Sequence, residues 1–241
     1  MSLLKIPFLV ASAIGMHISL TSPSSLPPSS QEKVWPTYCR DMTLTSTTSS
    51  RDHLTLSFIA SNVGCHISTV LAMHIGPSQI PEGLYNTSAV RLLYALHPTP
   101  ITPALLAGSL FVTVGGVLRR YCMSTLGKFW SFWLSIKEEH RIVTNGPYSI
   151  VRHPSYTGVL LQNVGLVMMH GSERSWMRQS GILQLPYMKV SAVVILCTLT
   201  IGTLTIIKRC SVEDKMLQRA MGEDWANWAK KVKYRLLPGV Y

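Results

Sequence analysis

Two short stretches of this sequence concentrate the side chains that could do chemistry. The first is TNGPYSIVRHPSYTG, residues 144–158, which sets Tyr148, Arg152, His153 and Tyr156 directly ahead of the apolar run VLLQNVGLVMM. The second is KRCSVEDKML, residues 208–217, where Arg209 and Glu213 stand four apart and share one face of a helix. Asn145-Gly146-Pro147 is strong turn chemistry, and Pro154 fixes the backbone where the next helix begins. Arg152 and His153 supply donors, and each tyrosine offers an apolar ring with a hydroxyl. Non-helical polar backbone at membrane depth is tolerated only where it is buried in protein or lines a cavity. The first stretch therefore reads as a pocket at a membrane surface. The alternative is an anchor, with Arg152 and His153 at the headgroups and the tyrosines in an aromatic belt. Arg209 and Glu213, taken alone, have the equally plain reading of a surface ion pair.

Other common chemistries find no support. The five cysteines show no CxxC or paired spacing, so metal and disulfide roles are not expected and no metal site is assigned. The eight histidines form no HExxH pair. GxGxxG, GxxxxGK[ST] and the GxSxG of serial Ser-His-Asp hydrolysis are all missing.

The elements that must position these residues are membrane helices. Of 241 residues, 47% are hydrophobic and only 14% charged, with a mean hydropathy of +0.24. A soluble domain carries about a quarter charged residues. The net charge of +11 gathers in short segments beside apolar runs, as for loops facing anionic lipid, and not in the basic stripe of a nucleic-acid binder. A spanning helix needs about 20 apolar residues. Residues 101–118, stopped by Arg119-Arg120, and 188–207, stopped by Lys208-Arg209, meet that requirement clearly. Residues 156–171 are shorter and carry Gln162 and Asn163. Residues 3–20 read as a first span or a signal peptide, and 53–75 as the weakest span. The expected fold is all-α, a polytopic integral membrane protein of about five transmembrane helices.

Residues 21–52 are rich in Ser, Thr and Pro and read as a mobile loop. Basic residues crowd 119–152 and the tail from 208, which places both on the cytoplasmic side and the 172–187 loop opposite. With five spans the N-terminus also lies opposite. An amphipathic segment is expected over 128–139. In the tail, Met216, Leu217, Ala220, Trp225, Trp228 and Val232 recur at helical spacing, as in an amphipathic lid over the cytoplasmic pocket. The organisation is thus 1–100, N-terminal spans, and 101–241, a membrane-embedded domain with a cytoplasmic tail at 208–241.

GPYSIVRHPSYTG, then RCSVEDKML, then GEDWANWAKKVKYRLLPGVY resembles the isoprenylcysteine carboxyl methyltransferase family, especially its fungal branch. LGKFWSFWLSIKEEHRIVT (126–144) extends the likeness, which covers roughly residues 100–241. The resemblance implies a multi-pass enzyme of the endoplasmic reticulum membrane, using S-adenosylmethionine to methylate the carboxylate of a C-terminal prenylated cysteine. Its partners would be farnesylated or geranylgeranylated protein C-termini, such as those of small GTPases, and the lipid bilayer. Carried over, His140, Arg141, Ile142 and Val143 border the cofactor. Tyr148 and the run His153, Pro154, Ser155 and Tyr156 complete its pocket. Glu213 binds the cofactor, and Arg209 contacts the substrate carboxylate. Asp214 stands where the family usually has a second Glu. The prenyl chain would enter between helices at the span carrying Gln162 and Asn163, residues that serve equally as interhelical hydrogen-bonding groups. RHPxY stretches also occur in phospholipid methyltransferases and membrane sterol reductases. A phospholipid N-methyltransferase and an inactive scaffold of the same fold therefore remain alternatives.

Overall fold

The computed structural model of the chain describes residues 3–21, 33–34, 99–131, 134–136 and 140–241. The predicted span 53–75 and most of the 21–52 loop lie outside them. So does Trp133.

The fold is all-α and polytopic. Helix α1 (Ile6–Leu20) follows a single 3-10 turn, Leu3–Lys5. Helix α2 (Pro103–Leu126) starts at Thr102, whose Oγ1 accepts from Leu105 N–H at 3.1 Å. Helix α3 (Pro154–Gly171) comes next, then the short α4 (Trp176–Gln179). Helix α5 (Pro186–Met221) and α6 (Glu223–Lys231) complete the chain. A minimal antiparallel pair joins β1 (Lys33–Val34) to β2 (Ser135–Ile136). Part of the 128–139 segment, expected to be amphipathic, is therefore a 3-10 turn at Gly127–Phe129 and this strand.

Among the described residues three helices are long and apolar enough to cross a membrane: Leu3–Leu20, Pro103–Phe129 and Pro186–Met221. Helix α3, expected as a span, is not one of these. Gln162, Asn163 and His170 lower its hydropathy, and it packs along α2 instead of standing alone. The hydrocarbon-facing character of α5 is plain, since Val190, Val193, Val194, Leu196, Ile201 and Leu204 are all exposed. At about 1.5 Å per residue its 36 residues reach well beyond a core of about 30 Å. The tail thus continues out of the last span as one helix, as the sequence implies.

Small residues let α1, α2 and α3 approach closely, the usual device of membrane helices. A Cβ on Gly115 would lie 2.5 Å from the Gly158 carbonyl oxygen, and one on Gly158 2.7 Å from that of Gly115. Gly108 and Gly165 form a second such crossing, at 2.6 and 2.5 Å. On the other side of α2, a Cβ on Gly116 would lie 2.5 Å from the Gly15 oxygen. The buried Gln162 joins all three helices. Its Nε2 donates to the Gly15 oxygen (3.1 Å) and, more weakly, the Val112 oxygen (3.4 Å), while its Oε1 accepts from Ser19 Oγ at 2.6 Å. Asn163 Nδ2 donates to Thr203 Oγ1 on α5 at 2.9 Å. Of the two sequence readings for Gln162 and Asn163, interhelical bonding is the one observed.

At one end of this bundle the 172–187 loop closes over its own small core of Trp176 and Ile182. The C-terminal end of α2, the N-terminal end of α3 and the outer half of α5 meet at the other.

Candidate active site

The α2–α3 connection ends in a turn that aims its side chains inward. Gly146 has φ 58°, a conformation natural to glycine, and opens the 3-10 turn Gly146–Ser149. Tyr148 is thereby buried. The chain then bends through Arg152 and His153, whose N–H groups donate to the Tyr234 and Arg235 oxygens at 2.9 and 2.8 Å. Pro154 starts α3 at its first position, where its missing N–H costs nothing. Gly222, at φ 53°, turns α5 into α6 and brings Trp228 back over the site, its Nε1 3.4 Å from the Tyr148 oxygen.

These pieces enclose one cavity. Its lining includes His140, Arg141, Ile142, Val143, Tyr148, His153, Ser155, Tyr156, Arg209 and Glu213. Every residue assigned to the site by resemblance is present there except Pro154, which is fully buried at the start of α3. Stretches separated by more than fifty residues in sequence thus converge, and the reading of RHPSY as a mere headgroup anchor loses its basis.

The geometry is specific. Tyr156 donates its hydroxyl to Glu213 Oε2 at 2.7 Å. His153 Nδ1 lies 3.8 Å from the same oxygen, and its ring stacks on that of Tyr156 with centroids 5.7 Å apart. The Arg209 guanidinium sits 5.9 Å from the Tyr156 ring centre. Burial, together with the neighbouring Cys122 and Glu213, pushes the Tyr148 hydroxyl well above its ordinary pKa, so it remains a neutral donor.

Two residues with larger parts than their sequence context implied are Arg119 and Asp214. Arg119, expected as a cytoplasmic stop signal, lies inside α2, which continues to Leu126. Its Nε and Nη2 donate to the Ser19 oxygen at 3.2 and 2.9 Å, and its Nη1 donates to Ser155 Oγ at 3.2 Å. It also faces the Trp130 ring at 5.7 Å and lines the cavity. The signal was available: Gly108, Val112, Gly115, Arg119 and Cys122 follow one another at three- and four-residue steps, so Arg119 continues the small-residue stripe while Arg120 falls outside it. Asp214 is buried, accepts from His153 Nε2 at 3.0 Å and Arg235 Nε at 2.9 Å, and pairs with the Arg152 guanidinium at 3.1 Å. Burial works against the Arg235 charge, but its bonds to Tyr241 and Asp214 prevail and raise its pKa.

Residues 107–177 match the model of the isoprenylcysteine carboxyl methyltransferase (ICMT) family. The chain is 38% identical over 64 residues to protein-S-isoprenylcysteine O-methyltransferase B of Arabidopsis thaliana, covering 26% of this chain and 32% of that protein. It is 36% identical over 64 residues to the protein-S-isoprenylcysteine O-methyltransferase of Schizosaccharomyces pombe, covering 26% and 27%. A 7-dehydrocholesterol reductase of Danio rerio is 25% identical over 101 residues, 42% of this chain and 17% of the reductase. The matched stretch thus spans about a third or less of the length of these relatives. Over residues 107–177, from within α2 through the RHPSY stretch and α3, the chain is similar to the isoprenylcysteine carboxyl methyltransferase family.

Proposed function

We propose that this chain is a membrane carboxyl methyltransferase that esterifies the α-carboxylate of a C-terminal S-prenylated cysteine. The observation that carries the reading is the convergence of the 140–143, 148–156 and 209–213 segments on one cavity at the end of a helix bundle. The methyl donor is S-adenosylmethionine, and the lining fits it. Glu213 is a carboxylate able to offset a sulfonium or hold an amine, and the rings of Tyr148, Tyr156 and Trp228 are faces on which a cation or a base can rest. His140, Arg141, Ile142 and Val143 border it by resemblance.

When bound, the donor would supply an electrophilic methyl group to a carboxylate oxygen, its sulfonium leaving as a neutral thioether. A carboxylate of pKa near 3.5 is already ionised at neutral pH, so no general base is required of the protein. The task left to the side chains is positioning. Arg209 presents a planar fork suited to a carboxylate. Its guanidinium, held against Tyr156, orients the nucleophile without needing to take its proton. Glu213, kept in place by the Tyr156 hydroxyl, sits one helical turn away on the same face of α5. The prenyl chain reaches the site from the bilayer. By family resemblance we assign the protein to the endoplasmic reticulum membrane, and by its clustered basic residues we assign the cavity and tail to the cytoplasmic side. Prenylated small GTPases have the required terminus.

The test is transfer of labelled methyl from S-adenosylmethionine to N-acetyl-S-farnesylcysteine by membranes expressing the chain. Base-labile ester formed by the parent and lost in Arg209→Ala is the expected result. No ester from folded, inserted protein refutes the reading. Label in phospholipid would promote a phospholipid N-methyltransferase in its place.

A further inference from the structure

Asp214 follows Glu213 on α5, and a step of about 100° around the helix turns neighbouring side chains apart. The Glu213 side chain reaches the cavity with 28% of its surface exposed, whereas that of Asp214 is 4% exposed. Adjacent acids therefore occupy different environments. Asp214 looks into the seam where α5, the start of α3 and the C-terminal segment meet.

Its carboxylate collects a donor from each side of that seam. His153 donates from the turn before α3 at 3.0 Å, with Arg152 beside it as an ion pair at 3.1 Å, and Arg235 donates from the segment after α6 at 2.9 Å. Arg235 is tied further to Ser211 Oγ at 3.3 Å and to the Tyr241 hydroxyl at 2.8 Å. The same two segments are laced by the main-chain bonds of Arg152 and His153, and by Thr157 Oγ1, which donates to the Leu236 oxygen at 2.7 Å.

An ionised carboxylate only accepts hydrogen bonds, so His153 must present Nε2–H to it. That bond sets both the tautomer and the tilt of the ring. The ring so held stacks on Tyr156, and Tyr156 in turn donates to Glu213. Contact therefore runs from Asp214 through His153 and Tyr156 back to Glu213 at the cavity.

We infer that Asp214 is a positioning residue for the proposed methyl transfer: it holds His153, and through it the Tyr156–Glu213 pair, in register with Arg209. This rests on the proposed function, but its structural half stands apart from it. Touching neither substrate nor donor, Asp214 acts by fixing where the groups that do so are placed.

The test compares Asp214→Asn and Asp214→Glu with the parent in detergent. A displacement of about 1 Å at a reacting centre can cost two orders of magnitude, so kcat/KM in Asp214→Asn is expected to fall by about 10-fold or more. The fall should appear in kcat at saturating donor and acceptor, measured below the temperature at which the variant begins to unfold, which a purely structural role would not give. Asp214→Glu keeps the charge and should recover most of the activity. Hydrogen exchange supplies a readout free of catalysis: amides at 152–157 and 233–237 should exchange faster in Asp214→Asn while those of α2 do not change. A variant with parental kcat/KM or parental exchange in those segments overturns the inference. Should Asp214→Asn not accumulate, Arg235→Gln, at a partly exposed side chain, carries the same exchange test with the same two outcomes. A parent inactive on prenylcysteine, with exchange altered as described, would refute the proposed function and leave the clamp standing.

Discussion

Tyr156 shows most directly how one side chain serves several neighbours. Its hydroxyl goes to Glu213, one face of its ring stacks on His153, and its ring faces the Arg209 guanidinium. Tyr156→Phe removes the first contact and keeps the others. A hydrogen bond to a charged group contributes about 1.5–3 kcal/mol, and water reaching the partly exposed Glu213 recovers some of that. The expected outcome is a fall of about 10-fold in kcat/KM for the methyl donor, with a modestly lowered thermal midpoint. Steady-state kinetics on the purified variant checks it, and a parental value would detach the Tyr156–Glu213 pair from the reaction. The residues of this cavity were legible in the sequence to the extent that they sat in recognisable motifs. Tyr148, His153, Tyr156, Arg209 and Glu213, all within such motifs, line one cavity. Asp214 was not seen as the centre of a buried charge cluster, because its partners Arg152 and Arg235 come from segments whose proximity only the fold creates.

At the scale of the elements, the site depends on how closely α2 and α3 approach. The Gly115–Gly158 crossing lies one turn from Arg119 and Ser155, so any separation there opens the cavity's inner wall. In Gly115→Ala the new methyl meets the Gly158 carbonyl, which is backbone and cannot rotate away. Overpacking of this kind costs about 1–3 kcal/mol. A lower thermal midpoint in detergent is expected, together with reduced activity. Gly202→Ala on α5 is the control, since nothing lies within 4 Å of the added atom, and it should be neutral or slightly stabilising. Equal midpoints for the two variants would refute the packing argument. The helices α2 and α5 could be read from apolar runs. What composition could not convey is that Gln162 and Asn163, which interrupt α3, tie it to α1, α2 and α5. Nor does a run of charges declare which member faces inward: Arg119 and Arg120 look alike as a stop signal, and only the helical phase of the small residues separates them.

Across the whole molecule, the two ends of the bundle differ in chemistry. One carries the cavity, the α5 extension and a tail with Lys230, Lys231, Lys233 and Arg235. The other carries the 172–187 loop around Trp176 and Ile182, with Arg174 and Arg178 against Glu173. The greater concentration of Lys and Arg at the cavity end is what sets orientation during insertion, because short basic segments resist translocation. The proposed reaction would bring a water-soluble methyl donor and a prenylated protein terminus to one face, and a polar cavity at the basic end suits it. Protease protection in sealed microsomes, whose cytoplasmic face is outward, tests the arrangement. An epitope appended after Tyr241 should be digested in intact vesicles. One inserted after Glu173 should survive until detergent is added. Protection of the first and digestion of the second would invert the chain, placing the cavity in the lumen and removing it from the cytoplasmic proteins proposed as its substrates.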